Sequence, residues 1–233
     1  MRLTLRTLAA LLGYPSQDLK AAIPEIREAL SSERALPRAA RRRLDPLLDR
    51  LERDDLLDSQ SAYSELFDRS RSLSLHLFEH VHGDNKERGQ ALIDLGQQYL
   101  EKGFFLDGPE LPDFIPVFAE FASCLPPEEA RDWLGQPLHV FAALEERLTE
   151  RGSDYAAVLG GLVALAQAKP DQDALGELRE RAPSDDPARI DEEWEEKAVT
   201  FMASHEMGGP TGIVARLRAA GKAMVAARNG TKG

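Results

Sequence analysis

The chain has 233 residues, of which 42% are hydrophobic and 30% are charged, and its formal net charge is -11. This length can bury a sizeable core, and we expect a single domain. The acidic balance argues against binding to nucleic-acid phosphates, and an aromatic content of 6% indicates no surface for stacking single-stranded bases.

Membrane spans and disulfides are not expected either. No stretch approaches the roughly 20 apolar residues that a bilayer-spanning helix needs, and the apolar run at residues 8–12 is too short for a signal peptide. We therefore expect a cytoplasmic protein without stable membrane insertion. Cys124 is the one cysteine, so an internal disulfide is impossible, and its apolar neighbours predict a buried, unreactive thiol.

Three helices are predicted in the first 55 residues. The first ends at Gly13, a C-cap glycine, with Pro15 beyond it. Ser16 is expected to cap a second helix, in which Pro24 either kinks the helix or begins a fresh turn. Pro37 suits the first position of a third helix. The apolar stripes of the first and third helices are Leu3, Leu5, Leu8, Leu11, Leu12 and Leu44, Leu47, Leu48, Leu51.

The middle of the chain continues the helical pattern. An apolar cluster at Tyr63, Leu66 and Phe67 precedes a polar break at residues 68–72. Asp84 followed by Glu87 has the form of a capping box for a helix that ends at residues 102–103. A strongly apolar helix then opens at residues 111–113 and carries Phe114, Val117, Phe118, Phe121 and Ala122.

Three further helices are predicted up to residue 168. The first begins at residues 126–129, where prolines are followed by acids that suit a helix N-terminus. The next two follow Pro137 and Ser153, and Gly160 and Gly161 lie within the last apolar stripe, where small residues allow close helix packing. No segment alternates β-branched and polar residues. The prediction is therefore an all-α, single-domain helical bundle with a core at residues 1–168.

The character of the chain changes after Pro170. Residues 171–196 contain eleven acidic residues and three arginines, which predicts a mobile acidic connector at 169–196 with one short helix at 174–181. A C-terminal segment at 197–233 would carry one amphipathic helix, at 213–228, and a frayed tail. We also expect the large apolar residues of this region to fold back onto the bundle, namely Trp194, Val199, Phe201 and Met202.

Histidines are concentrated between residues 76 and 82. His76 and His80 are four residues apart, so on a helix they share a face and could bind a metal together with Glu79 or His82. The alternative is that these histidines donate hydrogen bonds or contact a partner. Asp113 has two readings as well, because it could be a buried acid with a function or the N-cap of the Phe114 helix.

Four motifs carry a resemblance to a known family. They are LGYP at 12–15, YxxLF at 63–67, SLSLHLFEHVHG at 72–83 with RG at 88–89, and ELPD at 110–113. In this order they resemble the NarJ-type nitrate reductase assembly chaperones, also called the nitrate reductase delta subunit, within the wider group of molybdoenzyme maturation chaperones. The match runs from about residue 2 to residue 168, and DEEWEE at 191–196 is similar to the tail of the family.

The resemblance implies an all-helical chaperone that is neither an enzyme nor a subunit of the finished reductase. Such chaperones bind the N-terminal region of the apo catalytic (alpha) subunit in the cytoplasm, hold it away from the membrane anchor and permit insertion of the molybdenum cofactor. Proteins of cofactor biosynthesis are a further class of partner. No cofactor or metal of its own is implied for the chain.

A peptide-binding site is expected around the histidine-rich motif. Leu75, Phe78 and Phe114 would form its apolar floor, and His76, Glu79, His80, Arg88 and Asp113 would supply polar contacts. If His76 or His80 contacts the peptide, affinity should change near neutral pH, because an unperturbed histidine titrates at about 6.5. The wider group has Glu-Pro-x-Asp-His where this chain has ELPDF, so no proton-dependent role is carried over to Phe114.

Two other functions stay open at this point. A metal-dependent hydrolase would use His76, Glu79 and His80. A chaperone of the same kind could also serve a molybdoenzyme other than nitrate reductase.

Overall fold

A computed structural model describes residues 1–82 and 87–180 as a bundle of short helices without a β-sheet, which confirms the all-α prediction. A 3₁₀ turn covers Arg71–Leu73, and an isolated bridge pairs His76 with Phe114. The α-helices, in chain order, are α1 (Arg2–Leu12), α2 (Gln17–Ala21), α3 (Ile23–Glu33), α4 (Arg38–Arg43), α5 (Asp45–Arg53), α6 (Leu56–Phe67), α7 (Leu77–His82), α8 (Glu87–Glu101), α9 (Ile115–Cys124), α10 (Pro127–Gly135), α11 (Leu138–Glu150), α12 (Ala156–Ala166) and α13 (Gln172–Glu180).

Prolines set the starts of several helices, because a proline lacks the N–H that a helix interior needs. The predicted second helix is two helices, with Pro24 in the first turn of α3, and Ser16 caps α2 by accepting the Leu19 N–H at 3.1 Å. The predicted third helix is also divided, because Pro46 lies in the first turn of α5. The sequence interpretation overlooked that second break.

Helix α1 lies at the centre of the bundle, against α3, α9 and α12. Its approach to α12 is close, since a Cβ placed on Gly161 would lie 3.1 Å from Cδ2 of Leu8, and this confirms the packing role predicted for the glycine pair. Leu3 is 47% exposed, so one member of the apolar stripe of α1 faces solvent. The other leucines of that stripe, Leu5, Leu8, Leu11 and Leu12, are fully buried.

An aromatic cluster joins α8, α9 and α10. The ring of Phe118 stacks on Trp133 at 5.3 Å between centroids, and the ring of Tyr99 lies 4.4 Å from that of Phe121. The Tyr99 hydroxyl donates a hydrogen bond to the Pro112 carbonyl at 2.7 Å, and burial raises the pKa of Tyr99. The cluster therefore fixes the segment that precedes α9.

Helix α13 lies within the predicted acidic connector, close to the helix expected at 174–181. It packs against α11, and Leu175 and Leu178 are buried there. Arg147 of α11 donates to the Leu178 carbonyl at 2.6 Å and to the Ser72 carbonyl at 2.8 Å. Several predictions lie outside the described residues. They concern the rest of the connector, the packing of Trp194 onto the bundle, the helix at 213–228, the frayed tail and the cap at residue 84.

Cys124 is exposed, which overturns the expectation of a buried thiol. It is the last residue of α9, where Phe121, Ala122 and Ser123 point into the protein and Cys124 points outward. In the part of the chain that the structure covers, no helix combines the length and apolar character needed to cross a bilayer.

Candidate functional site

Asp113 lies fully buried between two segments that are distant in sequence. Its Oδ2 accepts the backbone N–H of Phe78 at 3.1 Å, and its Oδ1 lies 3.1 Å from Nδ1 of His76. Phe78 belongs to the first turn of α7, so the carboxylate satisfies an N-terminal amide of that helix. The N-cap reading of Asp113 was wrong, because Phe114 holds that position at α9 and makes no side-chain cap bond.

Backbone hydrogen bonds hold the same two segments together. The Leu77 N–H donates to the Asp113 carbonyl at 3.0 Å, and the Ile115 N–H donates to the Leu75 carbonyl at 2.8 Å. The rings of His76 and Phe114 lie 5.3 Å apart and are tilted by 33°. The start of α7 and the start of α9 are thus fixed against each other by both backbone and side chains.

His80 faces into the protein rather than toward a partner. Its Nε2 donates to the Ser74 carbonyl at 2.7 Å, which orders the residues just before α7. Burial lowers the pKa of His80 to about 4, and the charge of Arg147 acts in the same direction. At that pKa the imidazole is neutral at physiological pH, so His80 would not change its charge in the range where a pH-dependent peptide affinity was predicted.

Glu79 and Arg88 form an ion pair between the first turn of α7 and the start of α8. The distance from Nη2 of Arg88 to Oε1 of Glu79 is 2.9 Å, and both side chains are partly exposed. The pair links α7 to α8 across a separation of nine residues in sequence. Because each charge already has a partner, this contact serves first to position the two helices.

The metal-site hypothesis has no support from this arrangement. His76 is directed to Asp113, Glu79 to Arg88 and His80 to the Ser74 carbonyl. Among residues 1–82 and 87–180, no group of three or more His, Cys, Asp or Glu side chains is placed to hold an ion. The hypothesis of a metal-dependent hydrolase requires a bound metal ion, so these residues do not support it.

A cleft of about 520 Å³ opens beside His76 and Phe114 and draws its walls from four separate stretches of chain. We call it the motif cleft, since each stretch overlaps one of the four motifs singled out above. Its lining residues are Gly13, Tyr14, Tyr63, Phe67, Asp68, Ser74, Leu75, His76, Pro109, Glu110, Leu111 and Phe114. Motifs that are far apart in the sequence therefore meet at one concave surface.

Aromatic side chains form one wall of the motif cleft. The Tyr63 hydroxyl donates to the Leu12 carbonyl at 2.8 Å, which ties α6 to the end of α1, and burial raises the pKa of Tyr63. The ring of Tyr63 lies 5.5 Å from that of Tyr14 and 4.8 Å from that of Phe67. Tyr14 is 54% exposed, so this wall presents an aromatic surface to solvent.

The rim of the motif cleft is acidic. Asp68 and Glu110 both line it, and the described lining residues include no lysine or arginine. Leu111 lies beside Glu110 and is 40% exposed. An apolar segment with basic flanks would find complementary surface at this position.

The predicted peptide-contacting residues fall into three groups. Leu75, His76 and Phe114 line the motif cleft, and Asp113 lies directly behind them. Phe78 is fully buried in the core, and His80 supports the cleft wall through Ser74. Glu79 and Arg88 are not among the lining residues.

Several lining residues were not assigned to a site from the sequence. Most of them belong to motifs that had been noted only for their resemblance to a family. A sequence signal for a binding surface was nevertheless present, because Tyr14, Phe67 and Leu111 are large residues next to turns. A second groove, of about 510 Å³ between α1, α2 and α3, shares Tyr14 with the motif cleft. Tyr14 therefore stands between two concave surfaces.

Comparison with known proteins identifies relatives over most of the chain. A family model described as nitrate reductase delta subunit matches residues 15–159. The chain is 40% identical over 202 residues to a protein of Escherichia coli K12 named nitrate reductase molybdenum cofactor assembly chaperone NarJ, with 86% of each chain covered. It is 38% identical over 148 residues to the same strain's NarW, named as a probable chaperone of this kind, covering 63% of this chain and 64% of NarW.

A solved structure has a similar fold. It is a crystal structure of a protein from Archaeoglobus fulgidus that is provisionally assigned as a redox enzyme maturation protein. The TM-score is 0.52 at 20% sequence identity, and the match covers 72% of this chain and 94% of that one. The helical architecture is thus shared with a protein of low sequence identity.

Proposed function

Because the chain belongs to the nitrate reductase delta subunit family, we propose that it is a chaperone for the assembly of a nitrate reductase. In this role it binds the N-terminal region of the apo catalytic subunit in the cytoplasm, keeps that subunit from the membrane anchor and permits insertion of the molybdenum cofactor. The chain itself performs no chemistry in this proposal.

The observation that carries the proposal is the convergence of four motifs on the motif cleft. A protein that recognises one segment of a partner needs a concave apolar surface with a few polar groups that fix orientation. Tyr14, Leu111 and Phe114 supply the apolar surface, while Asp68 and Glu110 supply charge at the rim.

The arrangement behind the cleft suits recognition better than catalysis. The carboxylate of Asp113 is hydrogen-bonded to the Phe78 amide and the His76 ring, and Nε2 of His80 is hydrogen-bonded to the Ser74 carbonyl. These bonds fix the cleft wall before a partner arrives, so less conformational entropy is lost on binding. We propose that His76, at the surface of this network, contacts the bound segment.

Calorimetric titration with a synthetic peptide tests the proposal. The peptide covers about 20 residues from the N-terminus of the nitrate reductase catalytic subunit of the same cell, long enough for an amphipathic helix of several turns. Leu111→Asp places a charge on the cleft surface and should weaken binding by about tenfold or more. The matched control is Leu57→Asp, since Leu57 is 73% exposed on α6 and does not line the cleft.

The control variant should bind within about twofold of the unaltered chain. Equal affinity of Leu111→Asp and the unaltered chain would remove the motif cleft as the binding site. Absence of any binding by the unaltered chain would overturn the proposal that it recognises this region of the catalytic subunit.

A further inference from the structure

We propose that residues 213–228 of the chain itself occupy the motif cleft until a client segment displaces them. We call residues 181–233 the tail. Its segment 213–228 would compete with the client for the motif cleft and would shield the apolar surface of a chaperone that has no client bound. This inference rests on the proposed function of the cleft, but it makes a separate claim about which segment fills it first.

The sequence of this segment has the character that the cleft requires. Ile213, Leu217, Ala220 and Met224 are spaced so that they would share one face of a helix. Residues 213–233 contain five basic residues and no acidic residue. This combination of an apolar stripe and positive charge is the chemistry expected of a segment that enters a groove of this kind.

The motif cleft is complementary to it in both respects. Tyr14 and Leu111 expose apolar surface, and Asp68 and Glu110 place negative charge at the rim. The same rim would repel the acidic stretch at residues 185–196, so the cleft should bind the basic segment in preference to the acidic one. Charge thus selects one part of the tail over the other.

The tail leaves the described chain next to the cleft. Arg147 bonds the Leu178 carbonyl in α13 and the Ser72 carbonyl with the same guanidinium group. Ser74 and Leu75, which line the motif cleft, follow Ser72 in the chain. The end of α13 therefore lies close to the cleft wall.

The tether is long enough for the segment to return. Residues 181–212 join α13 to the segment, and the covalent geometry of a chain of this length allows it to span up to about 110 Å. A covalent link that can reach a nearby site gives an effective concentration on the order of 1 mM there. Even a weak intrinsic affinity would then keep the cleft occupied for much of the time.

Two double variants of the full chain test the competition. Leu217→Asp with Met224→Asp places acids on the apolar face, and Ala219→Asp with Ala226→Asp places the same charge on the opposite face as a matched control. If the tail fills most of the clefts, the first pair should tighten the apparent affinity for the catalytic-subunit peptide by about fivefold. The control pair should change it by less than about twofold.

A crosslink reports tail position without any client. In a Cys124→Ser background, cysteines replace Leu111 at the cleft and Leu217 in the tail, and mild oxidation should join them within one chain. The client peptide, added first, should suppress this bond. The control pairs the Leu111 cysteine with a cysteine at Ala219, which should crosslink several times more slowly.

The outcomes separate this inference from the proposed function. An intramolecular crosslink that forms in a chain unable to bind the client peptide supports the tail position while the proposed function fails. Equal crosslinking of the positions at 217 and 219, a crosslink only between two chains, or an unchanged client affinity after Leu217→Asp with Met224→Asp would each overturn the inference.

Discussion

The carboxylate of Asp113 accepts the backbone N–H of Phe78 at 3.1 Å across a separation of 35 residues. A residue that precedes α9 thus stabilises the first turn of α7. Its second oxygen meets the ring of His76. One buried side chain therefore determines where the histidine-rich helix starts and how the adjoining cleft wall is oriented.

Replacement of Asp113 by alanine should lower the free energy of unfolding by about 2 kcal/mol or more, because the Phe78 amide loses its buried acceptor. Asp113→Asn should lose less, since an amide oxygen can still accept that bond. Urea unfolding measures both changes. The control is Asp107→Ala, an exposed acid, which should stay within about 0.5 kcal/mol of the unaltered chain. Equal stability of the Asp113 and Asp107 variants would contradict the capping role.

Titration of His80 should make stability depend on pH in a defined window. Burial lowers its pKa from 6.5 to about 4; the hydrogen bond to the Ser74 carbonyl opposes this shift, as do Glu79 and Asp113 more weakly, while the charge of Arg147 adds to it. Between these values the unfolded chain takes up a proton that the folded chain does not. The free energy of unfolding should therefore fall as pH is lowered from 6.5 to 4 and stop falling from this source below 4.

The variant His80→Gln isolates that contribution, because glutamine retains an N–H donor for the Ser74 carbonyl and does not titrate. Its loss of stability between pH 6.5 and 4 should be smaller by roughly 2 kcal/mol. Urea unfolding across this range gives the comparison. Parallel stability curves for the two proteins would show that His80 keeps an ordinary pKa.

Arg147→Met should loosen two segments together. The Ser72 and Leu178 carbonyls would both lose their donor, at a cost of about 2 kcal/mol. Amide hydrogen exchange should rise in residues 70–75 and in α13. Arg179→Met is the control, because Arg179 pairs with Glu146 at the exposed surface and should leave residues 70–75 unchanged. Faster exchange in α13 alone would mean that Arg147 does not couple the segments.

Two glycine substitutions should act in opposite directions. A Cβ on Gly161 would lie 3.1 Å from Cδ2 of the fully buried Leu8, so Gly161→Ala should destabilise by about 1 kcal/mol or more. Gly96 in α8 has open space where its Cβ would be, so Gly96→Ala should stabilise by about 0.5 to 1 kcal/mol through helix propensity. Thermal unfolding measures both, and a shift of the same sign would refute the packing account.

Local patterns in the sequence were sufficient for much of the fold. Ser16, Pro24 and the glycine pair at 160–161 act through neighbours or through periodicity, and the structure places them as predicted. Pro46 was overlooked because the leucine stripe continues across it, although α4 and α5 are separate helices. Periodicity reports which side is buried, but it is insensitive to a break that preserves the stripe.

Long-range relationships were beyond such reasoning. Local capping rules assign Asp113 to the nearest helix, whereas its partners lie near residue 77. Apolar neighbours did not reveal that Cys124 points outward, because direction at a helix end depends on what packs beyond it. The motif cleft could not be predicted either, because nothing in the sequence indicates that Tyr14 and Leu111 lie close together in the fold.

The assembly of the motif cleft from four distant stretches has a consequence for the newly made chain on the ribosome. Tyr63 must reach the Leu12 carbonyl, and Ile115 must reach the Leu75 carbonyl, before the walls face each other. A nascent chain that has not yet emerged beyond residue 115 cannot form the last wall. Contacts of such sequence separation slow folding, because the entropy of loop closure is lost before they stabilise the chain. The surface thus comes into existence only after residue 115 has been synthesised, so fragments released before that point would lack it.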